Sequence, residues 1–230
     1  MSDSLILEKK INYSFKNANL LKEALTHRSY INENPSWGIP HNERFEFLGD
    51  AVLELVVTMD IFNRFPKEAE GQLTSIRAAL VNYQMLASVS KSINLENFIL
   101  LSKGETKDTG RAREVILANA IEALIGALYL DGGYSEAEKF IKKFVIDSNI
   151  KEVIEKGLYK DPKSSLQEIV QEKFKITPHY EVLEEWGPDH KKIFKTGVYY
   201  GDKLISEGEG YSKQESEAEA ARNALKKYAS

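Results

Sequence analysis

Residues 41–53 read HNERFEFLGDAVL, and they constrain the chain more than any other stretch. Glu43, Glu46 and Asp50 stand at i, i+3 and i+7, so on a helix they share one narrow stripe. Around them Phe45, Phe47, Leu48, Val52, Leu53, Leu55, Val56 and Val57 make the segment apolar on most sides. A helix of that kind belongs in a core. Three carboxylates there repel one another and are costly to desolvate. A bound divalent cation, hard and oxygen-seeking, is the economical compensation.

A second stretch, ILANAIEALIGALYLD at 116–131, has a complementary form. Leu117, Ile121, Leu124, Ile125 and Leu128 make its apolar face, and Asn119 and Glu122 stand opposite at i, i+3. Ala118, Ala123 and Gly126 flank them, and small residues let another backbone approach closely. Glu46, Asp50, Asn119 and Glu122 together offer four oxygen-bearing side chains from two facing helices. Acidic pairs at this spacing also occur on solvated helix faces, so it is the apolar setting that favours a metal.

The remaining composition narrows the class. With no cysteine among 230 residues there is no disulfide framework and no thiolate metal site. No apolar run approaches the ~20 residues that span a bilayer. The start, MSDSLILEKK, lacks the pattern of a signal peptide. A cytoplasmic chain with no membrane partner is the expectation. The formal net charge of -4 offers no bulk attraction to a polyanion, so any nucleic-acid contact must come from local placement of charge.

Along the chain, residues 1 to about 150 read as almost entirely helical. A loop is expected at 32–40 (NENPSWGIP), with Asn42 as the N-cap of the acidic helix. One helix is expected over 70–92, others over 112–131 and 134–148, and a polar loop over 102–111. The character changes near 150–162, where mixed charge, a glycine and a proline make the later part read as a linker. Beyond it Leu166, Ile169, Val170 and Phe174 make a helical stripe. Strands follow at 179–186, 192–200 and 203–210, and an Ala-rich helix at 215–228 with Ala218, Ala221 and Leu225 inward.

The residues NERFEFLGDAVL (42–53) resemble the signature of the ribonuclease III family of double-stranded-RNA endonucleases. LTHRSY (25–30), EGQLTSIRAALV (70–81), KGETKDTGR (103–111) and ILANAIEALIGALYLDGG (116–133) extend the likeness in the family's order. The C-terminal part resembles the double-stranded-RNA-binding domain that bacterial members append. The resemblance implies an all-α endonuclease domain (1–156), a linker (157–161) and a small α-β-β-β-α RNA-binding domain (162–230). It implies a homodimer with one acidic cluster per subunit, Phe47 lying at the subunit interface. Carried over by position, Glu46, Asp50, Asn119 and Glu122 fall on the metal site, with Asp50 and Glu122 catalytic. Glu43 and Glu70 match further acids of the RNA valley. The implied cofactor is Mg²⁺, with Mn²⁺ as a substitute, and the implied substrate is double-stranded RNA rather than a small molecule. Cutting both strands would leave 5′-phosphates and short 3′ overhangs, in rRNA and mRNA processing.

The family usually has Asp where this chain has Asn119. An amide oxygen still coordinates a hard cation, but it brings no charge and cannot act as a base. Three explanations stand open: weakened metal affinity, a natural variant that works, or an introduced inactivating change. The alternative to an enzyme is accordingly a catalytically weakened RNA-binding regulator. A third possibility, an unrelated helical metal hydrolase, would not need the C-terminal domain.

Residues 161–230 carry 11 Lys+Arg and 13 Asp+Glu, so RNA contact there must depend on shape. The family's contact positions fall on Ser164, Gln167, Glu168 and Gln171, on His190, and on Lys213 and Gln214 at a positive helix end. Several residues read as structural. His27 lies beside an apolar stripe, Glu54 is expected to face solvent, and Tyr199 and Tyr200 are expected to pack. Arg111 and Arg113 fit a solvated pair as well as a phosphate contact, and Thr109 replaces a glycine usual in the family.

Overall fold

The computed structural model describes residues 3–107, 109–188 and 192–228, and the chain divides into two units, Met1–Tyr159 and Lys160–Ser230. The first unit begins with α1 (Asp3–Ile11), α2 (Ala18–Ala24), α3 (Arg28–Glu33) and α4 (Glu43–Arg64). Then come α5 (Glu70–Val81), α6 (Tyr83–Ser92), α7 (Lys103–Lys107), α8 (Arg111–Gly132), α9 (Tyr134–Phe140) and α10 (Ile150–Glu155). A short 3-10 turn covers Leu95–Asn97 and a π-helical turn Ile141–Ile146.

At 22 residues each, α4 and α8 are about 33 Å long and pack against each other. Two glycines determine how closely. A Cβ at Gly49 would lie 1.8 Å from the backbone oxygen of Glu122, and one at Gly126 would lie 2.3 Å from that of Phe45. Only hydrogen fits at either place. The middle of α8 is buried on nearly every side, Ala118, Ala120, Ala123 and Ala127 included with Leu117, Ile121, Leu124, Ile125 and Leu128. By length and composition it is apolar enough to cross a bilayer, contrary to the expectation above; its place at the centre of this core accounts for that composition.

α4 is less covered than its apolar sequence implies. Val52, Leu53, Val56, Val57 and Ile61 are buried, but Phe47 is 82% and Phe62 65% exposed, with Leu55 and Met59 exposed beside them. One chain thus leaves an apolar face of this helix open. Asn42 stands before α4, yet its side chain makes no capping bond. Its amide instead donates to the Ala24 carbonyl (3.3 Å), and its N–H to that of Thr26 (2.9 Å), tying α4 to the end of α2.

The single helix expected over 70–92 is two. Asn82 is extended (ψ 158°) and its side chain accepts from Met85 N–H at 2.9 Å, capping α6. Its amide also donates to Ala79 O (3.0 Å) and so closes α5. An Asn that serves both ends breaks a stripe whose apolar period runs straight through it. The expected loop at 102–111 contains α7, and the expected helix at 134–148 changes to a π turn after Phe140.

In the second unit, α11 (Pro162–Phe174) precedes β1 (His179–Trp186), β2 (Ile193–Tyr200), β3 (Lys203–Gly210) and α12 (Lys213–Lys226). The strands form an antiparallel sheet in the order β1-β2-β3. Leu166, Val170, Val198, Ala220, Ala221 and Ala224 are its buried core, lined by Tyr180, Tyr200 and Tyr228. Ala218 and Leu225, expected inward, are only partly buried. A close approach decides the rotation of α12: a Cβ on Gly208 would meet Ala220 N at 2.1 Å. The buried Thr196 and Ser216 hydroxyls share a hydrogen bond of 2.6 Å between sheet and helix. The architecture is a helical domain followed by an α-β-β-β-α domain.

Gly49→Ala tests the crossing, because two effects oppose each other. Alanine gains about 1 kcal/mol of helix propensity over glycine, whereas overlap with the Glu122 carbonyl forces the helices apart. We expect the clash to win by about 3 kcal/mol in urea unfolding. A variant as stable as the parent would show that the helices do not meet so closely.

Candidate metal centre and nucleic-acid face

Gly49 lies between the turns of α4 that carry Glu46 and Asp50, and the backbone of Glu122 rests against it. The approach that a missing side chain permits therefore delivers Glu122 to the acids of the facing helix. Burial raises the Glu122 pKa to about 8, with Asp50, then Glu46, then Glu54 adding repulsion. Burial also raises Glu46, and Glu43 and Asp50 push the same way; Asn119, within hydrogen-bonding reach, opposes them. Asp50 itself is exposed. Glu46, Asp50, Asn119 and Glu122 thus occupy one neighbourhood.

Among the described residues, no three His, Asp or Glu side chains are already drawn into a cage. The arrangement is open, and its charge is uncompensated: no lysine or arginine pairs with Glu46, Asp50 or Glu122 among the described ion pairs. All four side chains are oxygen donors, the kind that hard divalent cations take. The residues fit such an ion chemically, with charge that the ion would balance.

The other candidate acids are held by partners of their own. Glu43 pairs with Arg28 at 3.5 Å. Glu70 is exposed in the first turn of α5 and accepts from Thr74 Oγ1 at 3.0 Å. Glu54, expected to face solvent, is instead half-covered and bound to Arg77 Nε at 3.0 Å. Arg77 belongs to no spacing pattern that singles it out; a lone arginine among Ile76, Ala79 and Leu80 was the signal available.

His27 takes the structural role expected of it. It caps α3, accepting from Ser29 N–H at 3.3 Å, and burial lowers its pKa. Tyr200 packs near Phe174 and Tyr228, while Tyr199 stacks on His179 with centroids 5.3 Å apart. Arg111 lies over the Tyr83 ring. Arg113 is only partly exposed.

On the second unit, Ser164, Gln167, Glu168 and Gln171 are all exposed on α11 at i, i+3, i+4 and i+7, one polar stripe. Lys213 and Gln214 are exposed in the first turn of α12, which Ser212 caps by accepting from Glu215 N–H. His190 lies outside the described residues.

The sign of the pH dependence follows from Glu122. Its folded pKa of about 8 exceeds the ordinary 4.5, so without a cation the folded state keeps a proton that the unfolded chain has lost between those values. This group's contribution to stability is fully present below pH 4.5 and falls as pH rises toward 8. Asp50→Asn removes the largest charge repulsion, so carboxyl-carbon NMR of the metal-free variant should show the Glu122 midpoint lowered yet still above 4.5. An unmoved midpoint would separate the two residues.

Comparison with known proteins bears on the family and the fold. The family described as Ribonuclease-III-like matches residues 17–149, and the double-stranded RNA binding motif matches residues 162–228. The chain is 47% identical to Ribonuclease 3 of Carboxydothermus hydrogenoformans, over 95% of this chain and 93% of that protein. It is 44% identical to Ribonuclease 3 of Borreliella burgdorferi, over 94% and 87%. Among solved structures, the nuclease domain of ribonuclease III from Campylobacter jejuni matches with a TM-score of 0.58 at 42% identity. That match covers 65% of this chain and 97% of that one. A second structure of that nuclease domain, described as showing flexibility in a region involved in dimer formation, matches with a TM-score of 0.54 at 44% identity, over 60% and 96%.

Proposed function

We propose, from the premise that this chain belongs to the ribonuclease III family, that it cleaves double-stranded RNA by divalent-metal-dependent phosphodiester hydrolysis. The products on this reading carry 5′-phosphates and short 3′ overhangs, and the setting is cytoplasmic processing of rRNA and mRNA. The observation that carries the reading is the crossing at Gly49, which gathers Glu46, Asp50, Asn119 and Glu122 in a chain that also has an RNA-binding motif.

Those four residues would hold Mg²⁺, or Mn²⁺ in its place. The bound ion supplies polarisation of the scissile phosphate and a more acidic attacking water. Glu122, half-buried and pushed toward its protonated form, would release its proton to solvent on taking up a cation, whose charge offsets the repulsion from Asp50 and Glu46. Asp50, more exposed, is left open to water and substrate. Asn119 holds Glu46 in place and offers a neutral oxygen. Glu43 and Glu70 stand outside this group as secondary acids of the RNA valley. Ser164, Gln167, Glu168 and Gln171 suit the 2′-hydroxyls of a minor groove, and Lys213 and Gln214 suit phosphate oxygens; His190 is assigned with them.

A homodimer is part of the proposal. The open face of α4, with Phe47, Leu55, Met59 and Phe62, is the kind of apolar surface that a second copy covers. Asn119 favours a second reading, a double-stranded-RNA-binding regulator with weakened cleavage, because the site has one charge fewer than an all-carboxylate set.

Incubation of a perfect RNA duplex with Mg²⁺, and then with EDTA, separates the two readings. We expect cleavage that EDTA abolishes and that Glu122→Gln lowers on the order of a hundredfold or more. Asn119→Asp should reach half-maximal rate at lower Mg²⁺. Binding without cutting at any Mg²⁺ concentration would support the regulator, and identical Mg²⁺ curves would remove Asn119 as the weak point.

A further inference from the structure

The acids of α4 form a longer row than the cation site uses. Glu43, Glu46, Asp50 and Glu54 stand at i, i+3, i+7 and i+11, so all four lie within one stripe. The outer two are each held by an arginine from a neighbouring helix: Glu43 by Arg28 of α3 at 3.5 Å, and Glu54 by Arg77 of α5 at 3.0 Å. The two pairs differ in kind. Arg28 and Glu43 are 70% and 48% exposed, whereas Arg77 and Glu54 are 35% and 39% exposed. Arg77 has a second anchor as well, donating from its NH1 group to Thr58 Oγ1 at 3.1 Å, one turn beyond Glu54. A guanidinium fixed at two points of α4 holds a carboxylate more firmly than a solvated pair does.

We infer that Arg77 is a positioning residue that holds Glu54 away from the cation site and so limits that site to three carboxylates. Glu54 lies one helical turn, about 5–6 Å, from Asp50, and it is near enough to Glu122 to repel it. Its side chain has the length to turn back toward Asp50 once released. A hard cation gathers the carboxylates within reach and binds more tightly as their number grows. A fourth would occupy a position that water or the scissile phosphate needs. In this site tighter binding and faster cleavage are therefore opposed, and Arg77 favours cleavage.

The inference rests on the cation site proposed above, and the test separates the two. Mn²⁺ binding to the full-length protein, without RNA, is followed by the loss of free-ion electron paramagnetic resonance signal. Glu122→Gln should abolish specific binding, which checks the site itself. Arg77→Gln should bind Mn²⁺ about tenfold more tightly while turnover of duplex RNA falls. Arg77→Gln with Glu54→Gln should return both to parental values, because the released carboxylate is gone. Glu54→Gln alone, whose folding depends on no buried charge, should leave Mn²⁺ affinity unchanged. Unchanged or weaker binding by Arg77→Gln would overturn the inference while leaving the site intact. Weaker binding by Glu54→Gln would overturn it too, since Glu54 would already be a ligand. A parent chain that binds no Mn²⁺ would overturn both.

Discussion

The contact of two backbones at Gly49 is the constraint on which the helical unit depends. A helix that carries acids must pass close to a second acid-bearing helix, and side chains ordinarily keep helix axes 8–10 Å apart. Gly49 and Gly126 remove the obstacle at two successive places, so the Glu122 and Phe45 carbonyls rest where Cβ atoms would otherwise be. The remainder of α8 follows from that demand. Through its middle, Ala118, Ala120, Ala123 and Ala127 are buried alongside Leu117, Leu124 and Leu128, because a helix gripped so tightly there has neighbours on nearly every side. The price is electrostatic: Glu122 is brought into a half-buried place already occupied by Asp50 and Glu46.

The charge around that crossing is sorted rather than simply accumulated. At the ends of the acidic row, arginines neutralise Glu43 and Glu54; in the middle, no described cation does so, and a neutral amide stands beside Glu46. Burial and repulsion, which ordinarily destabilise a fold, are concentrated where an ion can relieve them. The second unit shows a different economy. Its sheet and two helices enclose a small core of alanines and a few larger residues, leaving the polar stripe of α11 and the start of α12 exposed. Acids outnumber bases in its sequence, so recognition of a duplex there relies on where groups stand rather than on overall charge.

Much of this was legible in the sequence, and the exceptions have physical causes. The acidic spacing in α4, the small residues of α8 and the alternating strands are local patterns whose meaning survives folding. What local pattern does not carry is the identity of the neighbour. Leu55 read as core because apolarity does not distinguish a face that the chain buries from one that it leaves exposed, and only the resemblance set Phe47 apart from it. The break at Asn82 was hidden by apolar residues that keep helical period across it, while one side chain serves two helix ends. Glu54 read as solvated because Arg77, its partner, comes from a different helix. Gly49 stood inside the recognisable stretch from the start, yet its role required knowing what lay opposite.

We propose that two helices gather four oxygen donors for a cation and that Glu54 is kept from joining them. Diffraction from crystals grown with Mn²⁺, measured at the manganese absorption edge, tests this most directly. The predicted result is an anomalous peak bounded by side-chain oxygens of Glu46, Asp50, Asn119 and Glu122, with Glu54 still on Arg77. A peak held by other residues, or by Glu54 in place of one of the four, would contradict it.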